Sequence, residues 1–187
     1  MPATLEDLGE LIRARRTHMI VDRQRPVPST LVEELCELAM WAPNHKRTWP
    51  WRFVHLTGDS RCGLGESFVI DMRAAGIGDE ARWAKTLTKY ARTPSLLAVA
   101  AAAHDEPRLH AENRDAVAAG VQNVLLGATA AGLASFWSTP PIEDCPSALT
   151  WCGFDPVDRF VALVYLGWPV SAVPAPPRPP LSIRHLD

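Results

Sequence analysis

The sequence predicts an α+β fold, with helices and strands mixed but without the strict alternation of a doubly wound parallel sheet. Short stretches rich in branched and aromatic residues, at 51–56, 95–103, 133–137 and 159–166, have the length and composition of strands. A proline-free stretch from about 112 to 131 is apolar on nearly every face, which is typical of a helix buried inside a domain. We therefore expect a mixed or antiparallel sheet, flanked by helices, around a long central helix.

Two helices are predicted in the N-terminal part. Apolar residues recur at helical spacing over 5–12, behind Thr4, an N-cap with an acidic residue three positions later. The first helix is therefore expected to run into Arg15–Arg16. Leucines at helical spacing from Leu31 predict a second helix that a proline stops, so 42–46 is expected to be a turn.

The remainder of the chain predicts further helices and an extended tail. Amphipathic segments at about 60–75 and 79–92 are expected to be helices separated by glycines, and 145–151 a short helix. A proline-rich stretch from 174 to 180 is expected to be extended. Nothing marks a second domain, so we expect a single domain over residues 1–187, with its tail beginning at about 171.

Composition and charge exclude several classes of partner. With 19 Lys and Arg against 21 Asp and Glu, the chain has no overall field that favours nucleic acid or an anionic membrane. The longest apolar run, 96–103, is far shorter than the roughly 20 residues that cross a bilayer. The four cysteines and six histidines lack metal-site spacing, so we expect reduced thiols, no metal and a cytoplasmic location. Partners are expected to be small neutral molecules or a second copy of the chain.

The well-known catalytic motifs are absent from the sequence. There is no G-x-G-x-x-G after a strand, no G-x-x-x-x-G-K-[ST], no H-E-x-x-H and no G-x-S-x-G. These absences disfavour Rossmann, P-loop, zincin and α/β-hydrolase chemistry. Three local clusters remain as candidates for a functional site.

The first cluster, Arg15-Arg16-Thr17, places two guanidinium groups and a hydroxyl at a helix end. Arginine offers planar forked donors and threonine a short neutral one, a combination that suits a phosphate group. A basic helix end also complements the helix dipole, so a solvated helix terminus is the alternative interpretation of the same residues.

The other two clusters combine polar groups with aromatic rings. Residues 42–46, followed by Trp49-Pro50-Trp51, bring donors and aromatics into one turn that suits a flat heteroaromatic ligand, or form an ordinary capped turn before a strand. Trp137-Ser138-Thr139 ends a predicted strand with an aromatic ring and two hydroxyls, and a plain exit from the strand is its alternative interpretation.

Taken in order, the clusters resemble the nitroreductase family, and in particular its short single-domain branch. The family combines R-R-S, A-P-[ND]-H-K, a Gln-Pro-Trp before the first strand, a long Ala-rich helix ending G-[LF]-G, then W-[RKI]-[ST] and L-G-x-P. The matching segments here are Arg15-Arg16-Thr17, Ala42-Pro43-Asn44-His45-Lys46, Trp49-Pro50-Trp51, Gly132-Leu133-Ala134, Trp137-Ser138-Thr139 and Leu166-Gly167-Trp168-Pro169. The resemblance covers nearly the whole chain.

The resemblance implies a nitroreductase-like α+β sandwich and a homodimer with two FMN molecules at its interface, each contacted by both subunits. Arg15, Arg16 and Thr17 would hold the phosphate and ribityl end, and the turn of the partner would lie against the flavin. Arg178 corresponds to a phosphate-binding arginine of many relatives. The implied cofactor-binding residues are Arg15, Arg16, Thr17, Trp41, Pro43, Asn44, His45, Trp137, Ser138, Thr139 and Arg178.

The implied activity is an FMN-dependent oxidoreductase that takes hydride from NAD(P)H and then reduces a small nitroaromatic or quinone-like acceptor. The cofactor carries the chemistry, so no catalytic residue is assigned. Met19 replaces a Lys or Arg of several relatives, which predicts weaker stabilisation of the reduced flavin, and Trp49 replaces the usual Gln. A flavin-storage protein with little turnover is the alternative, and an α+β domain that binds no flavin is a third possibility.

Overall fold

A computed structural model describes residues 4–186 of the chain. It contains six α-helices and four strands within that range. In chain order they are α1 (Leu5–Ala14), α2 (Ser29–Ala39), β1 (Trp51–Leu56), α3 (Ser60–Ala74), α4 (Glu80–Lys89), β2 (Ser95–Ala101), α5 (Pro107–Ala130), β3 (Ala134–Ser138), α6 (Pro146–Trp151) and β4 (Arg159–Gly167). Single 3-10 turns at His45–Arg47 and Tyr90–Arg92 precede β1 and β2.

The four strands form one antiparallel sheet in the order β1-β2-β4-β3. The predicted α+β class is therefore confirmed, and the sheet is antiparallel among the described residues. β1 and β3 are its two edges. Because neighbours run in opposite directions, the start of β1 and the end of β3 lie at the same end of the sheet, on opposite edges.

Both faces of the sheet are covered by helices. Leu97 and Val99 of β2 pack with α2 and α5, whereas Leu96 and Ala98, which point the other way, pack with α3 and α6. Every residue of β2 is buried as a result. Burial on both faces explains why this strand appears in the sequence as a continuous apolar run without alternation.

The central helix α5 approaches α2 closely at two glycines. A Cβ at Gly120 would lie 2.7 Å from the carbonyl oxygen of Ala39, and one at Gly127 would lie 2.7 Å from a methyl group of Leu38. These glycines are seven residues apart and so share one face of the helix. They allow the two helices to pack at backbone distance.

Element boundaries differ from the predictions at a few ends. α5 begins at Pro107, ahead of the predicted start near 112, because its first turn is polar and exposed while a proline at the first position favours a helix. α1 ends at Ala14. At its N-terminal end, Thr4 forms the predicted capping box. Residues 172–186 form neither helix nor strand, as expected for the tail. None of the helices in the described part of the chain has the length and apolarity to span a membrane.

Candidate functional site

The segment after α1 runs alongside the free edge of β3. Thr17 forms an isolated parallel bridge with Ser135, and the backbone N–H of His18 donates to the carbonyl oxygen of Ser135 at 3.2 Å. Further along, Val21 forms a bridge with Pro169 beyond the end of β4. These contacts fix the first cluster beside the start of β3.

The two arginines of the first cluster have different surroundings. Arg15 donates from Nη1 to the hydroxyl of Thr17 at 3.0 Å. Arg16 instead turns back and donates from Nη1 to the carbonyl oxygens of Arg13 and Arg15. Arg16 therefore caps the C-terminal end of α1, which agrees with the alternative interpretation of a dipole-complementing helix end. Arg15 and Thr17 are left as a pair of adjacent donors.

Several polar atoms near this bridge have no partner among the described residues. They are Nε of Arg16, Nδ1 of His18 and Oγ of Ser135, all fully buried. Neither Arg15 nor Arg16 forms an ion pair with a carboxylate within residues 4–186. Burial lowers the pKa of His18. The positive charges of Arg15 and Arg16 thus have no carboxylate partner among the described residues, and they lie beside the Thr17 hydroxyl and the buried polar atoms without partners. This combination fits a phosphate group chemically.

The third cluster lies at the other end of β3. Ser138 is three residues beyond Ser135, which places it ~10 Å along the strand from the Thr17 bridge. Thr139 follows and is exposed. Trp137 already has structural contacts within the chain. Its indole N–H donates to the carbonyl oxygen of Val161 at 3.2 Å, and its ring packs against the core formed with α2 and α5. The Ser138 hydroxyl donates to the carbonyl oxygen of Thr139 at 3.2 Å, so the exposed hydroxyl of Thr139 is the group of this cluster most available to a ligand.

The second cluster forms a rigid turn before β1. The side-chain oxygen of Asn44 accepts the backbone N–H of Trp49 at 3.0 Å, and its amide donates to the hydroxyl of Thr48 at 3.0 Å. Lys46, Arg47 and Trp49 have φ angles of 59°, 53° and 50°, in the left-handed region that costs a non-glycine residue about 1 kcal/mol or more. The Asn44 side chain is therefore a structural brace of the turn.

His45 is held by a carboxylate from α5. Its Nδ1 lies 2.5 Å from Oε2 of Glu112, whose other oxygen accepts Nε–H of Arg108 at 2.8 Å. Both hydrogen bonds hold the pKa of Glu112 below its ordinary value, and the hydrogen bond with His45 has the larger effect. The His45 side chain is 49% exposed. The histidine is thus oriented from one side and open to solvent on the other.

The aromatic and proline residues near this turn are exposed. Trp41 is 80% exposed and Trp49 is 55% exposed, and Pro43 between them is also exposed. The turn lies at the start of β1, three strand spacings or ~14 Å from β3 across the sheet. Within one chain, therefore, the first and third clusters share β3, whereas the turn is at the opposite edge.

The model of the Nitroreductase family matches residues 12–168, which is most of the chain. The chain belongs to the nitroreductase family. The family resemblance carried by the ordered motifs is thereby confirmed, and so is the α+β sandwich that it implied.

Similar proteins cover nearly the full length. A Bacillus subtilis protein, provisionally named NAD(P)H nitroreductase YfhC, is 26% identical over 182 residues, 96% of this chain and 93% of its own. The structure of a nitroreductase-like family protein from Bacillus cereus is 24% identical with a TM-score of 0.79, covering 96% of this chain and 95% of its own. A nitroreductase with bound FMN from Bacteroides fragilis is 19% identical with a TM-score of 0.74, covering 97% and 99%. The nitroreductase fold is thus shared from end to end.

Two residues singled out by the resemblance do not add a charged group to the clusters. Met19, where several family members have a cation, is partly buried and packs against the core on the α3 and α6 face. Arg178 is exposed in the tail, and no hydrogen bond or ion pair links it to the first cluster within the described residues. A single nitroreductase chain thus gathers Arg15, Thr17, Ser138 and Thr139 along one strand, and leaves Arg178 apart.

Sequence reasoning missed Glu112, Ser135 and His18. Arg108 and Glu112 form an (i, i+4) pair that is visible in the sequence, but the contact of Glu112 with His45 joins residues 67 positions apart. Ser135 and His18 carry no motif, and only the bridge at Thr17 reveals that they are neighbours. No sequence signal was available for these long-range contacts.

Proposed function

We propose that the chain is an FMN-dependent NAD(P)H oxidoreductase that passes electrons to a small nitroaromatic or quinone-like acceptor. The observation that carries the proposal is the position of two motif clusters along one edge strand. Arg15 and Thr17 lie at the start of β3, and Ser138 and Thr139 at its end. The FMN in the Bacteroides fragilis structure and the NAD(P)H in the name of the Bacillus subtilis protein support the choice of cofactors.

The residues of β3 and its neighbours suit an elongated ligand with one anionic end. Arg15 and Thr17 would bind the phosphate, because the guanidinium has no carboxylate partner among the described residues. Arg16 would add positive charge while it caps α1. Ser138 and Thr139 would offer hydroxyls to the polar edge of the ring. When bound, FMN supplies the hydride chemistry, and the protein orients and shields it.

A second copy of the chain would complete each site. The turn with Asn44 and His45 is ~14 Å from β3 within one chain, at the opposite edge of the sheet, and we infer that the turn of a partner subunit contacts the flavin instead. Unpartnered apolar surface supports such a dimer. α1 is amphipathic, yet its apolar residues Leu8 and Ile12 are 45% and 48% exposed within one chain. Trp41 is 80% exposed. Trp41, Pro43 and the turn would then lie against the partner's flavin.

A flavin-storage protein with little turnover is the second candidate, and Met19 favours it. Its side chain packs into the core, so the segment beyond Thr17 offers no cation at that position to stabilise negative charge on a reduced flavin. Trp49, 55% exposed, adds bulk where a family member has Gln. Both candidates predict a protein that takes up FMN.

Anaerobic reduction separates the two candidates. The purified protein is saturated with FMN, and the flavin absorbance is followed after NADH or NADPH is added in separate experiments. Bleaching within seconds, followed by reoxidation on addition of menadione, is the result expected for the oxidoreductase. A flavin that stays oxidised for many minutes with both donors contradicts it and favours storage. A protein that takes up no FMN contradicts both.

A further inference from the structure

His45 is oriented by hydrogen bonding on one side of its ring only. Nδ1 lies 2.5 Å from Glu112, and the side chain remains 49% exposed. Nε2 has no hydrogen-bond partner among the described residues, although other ring nitrogens do, such as Nε2 of His55 with Ser95. The imidazole therefore presents one free nitrogen in a fixed direction.

The backbone beneath His45 is fixed as well. Asn44 braces the turn through Trp49 and Thr48, and the Thr48 hydroxyl donates to Asn113 of α5. The left-handed backbone at Lys46 persists only because such contacts over-determine it. Groups held this way are common at functional sites, where the position of a side chain must not vary.

The charges around the imidazole favour one tautomer. From α5 it faces Glu112, whose second oxygen is held by Arg108, and on its own turn Lys46 and Arg47 follow it. The two hydrogen bonds that lower the pKa of Glu112 keep this carboxylate ionised at neutral pH, and an ionised carboxylate only accepts hydrogen bonds. The ring hydrogen of neutral His45 is therefore on Nδ1.

The reaction under the proposed function needs a proton donor besides the cofactor. A quinone becomes a hydroquinone by gaining two electrons and two protons, and a hydride brings both electrons with only one proton. The second proton must come from the protein or from water. The same balance holds for reduction of a nitro group to a nitroso group, in which a second proton completes the departing water.

We propose that His45 donates this proton from Nε2 to an oxygen of the acceptor, with Glu112 as its positioning residue. The Nε2–H bond of the imidazolium breaks and an O–H bond forms on the acceptor. The ring is left neutral in the Nδ1–H form that Glu112 binds, and solvent returns the proton through the exposed side. The proposal rests on the proposed function and on the dimer, in which each turn serves the partner's site.

The orientation of His45 is tested first, without flavin or turnover. Nitrogen-15 NMR distinguishes the ring nitrogen that carries hydrogen from the one that does not, at a pH where the ring is neutral. The signals are assigned by their loss in His45→Gln. We expect the Nδ1–H tautomer in the parent and a tautomer mixture in Glu112→Gln, whose amide can also donate. Asp115→Asn, on the same helix, is the matched control and should leave the parent pattern unchanged. An Nε2–H ring in the parent overturns the proposal.

The proton-transfer step is tested by stopped flow with pre-reduced, FMN-saturated protein and menadione as acceptor. His45→Ala should slow reoxidation by at least about tenfold, which is less than the roughly 100-fold or more of a positioned acid catalyst because water partly takes its place. Added imidazole should restore much of the rate in His45→Ala and leave the parent unaffected. His185→Gln, an exposed histidine of the tail, is the matched control.

The outcomes separate this proposal from the proposed function. Reoxidation of His45→Ala at the parental rate, or a slow rate that imidazole does not restore, overturns the role of His45 while the flavin enzyme stands. If the parent takes up no FMN, the proposed function fails, and the role of His45 fails with it even if the NMR experiment finds the expected tautomer.

Discussion

Thr17 is bridged to Ser135, so the segment that follows the first helix is adjacent to the start of the edge strand β3, 118 positions away in the sequence. The bridge places two weak motifs beside the same edge strand. Arg15, which donates to Thr17, lies at one end of β3, and Ser138 lies ~10 Å further along the same strand. An elongated ligand with a phosphate at one end and a ring at the other fits this arrangement.

The proposed dimer leads to a prediction at α1. Leu8→Glu combined with Ile12→Glu should convert the protein from dimer to monomer and weaken FMN retention, because charges would replace apolar side chains that are half exposed in one chain. Light scattering coupled to gel filtration measures the mass. Ile70→Glu, at an apolar residue of α3 that is 59% exposed, is the control and should remain dimeric. A parent protein that is monomeric would contradict the dimer directly.

The packing of α5 on α2 makes a prediction for stability. Gly120→Ala should lower the free energy of unfolding by about 1–2 kcal/mol, since the new Cβ would meet the Ala39 carbonyl oxygen at 2.7 Å. A better helix propensity offsets only part of this cost. Gly9→Ala, where the Cβ meets the flexible end of Arg13 at 3.0 Å, should instead be neutral or stabilising. Urea denaturation measures both, and equal effects of the two substitutions would refute the packing argument.

The thiols make a prediction about reactivity. Burial raises the pKa of Cys36, Cys145 and Cys152 to about 12, so at pH 8 only about one in ten thousand of each is the reactive thiolate. Iodoacetamide should therefore label the partly exposed Cys62 first. Below pH 12 the labelling rate of the other three should rise about tenfold per pH unit, since the thiolate fraction does. Peptide mass spectrometry identifies the labelled residues. Labelling of Cys145 as fast as Cys62 would show that it is not buried.

Local patterns in the sequence were sufficient for most of the fold. The continuous apolar run of β2 reflects burial on both faces of the sheet. The central helix α5 was predicted from a stretch that is apolar on nearly every face, but its buried residues recur at helical spacing along one face only. Pro107 is a helix start signal, but it lies outside the apolar stretch from which the start of α5 was predicted near 112. Patterns of this kind report burial, and each pattern is visible within one segment of the sequence although the packing that causes it is not.

The candidate site depended less on local pattern. The motifs singled out Arg15, Thr17 and Ser138, but their proximity follows from the bridge between Thr17 and Ser135, which no single segment specifies. The partners of His45 and Ser135 come from distant parts of the chain. A residue such as Arg16 also remained ambiguous until its hydrogen bonds to the end of α1 were seen. Motifs therefore indicated the ligand class, whereas the geometry separated residues with available polar groups from residues with a structural role.

The central claim is that Arg15 and Thr17 at the start of β3 bind the phosphate of FMN. Its most direct test compares the dissociation constants of FMN and riboflavin, which lacks the phosphate, for the parent and Arg15→Ala. Removing a charge-assisted hydrogen bond should weaken FMN about 10- to 100-fold and leave riboflavin unchanged, with Arg13→Ala as the control. Equal weakening of FMN and riboflavin binding in Arg15→Ala, or FMN binding by Arg15→Ala as tight as that by the parent, would contradict the claim.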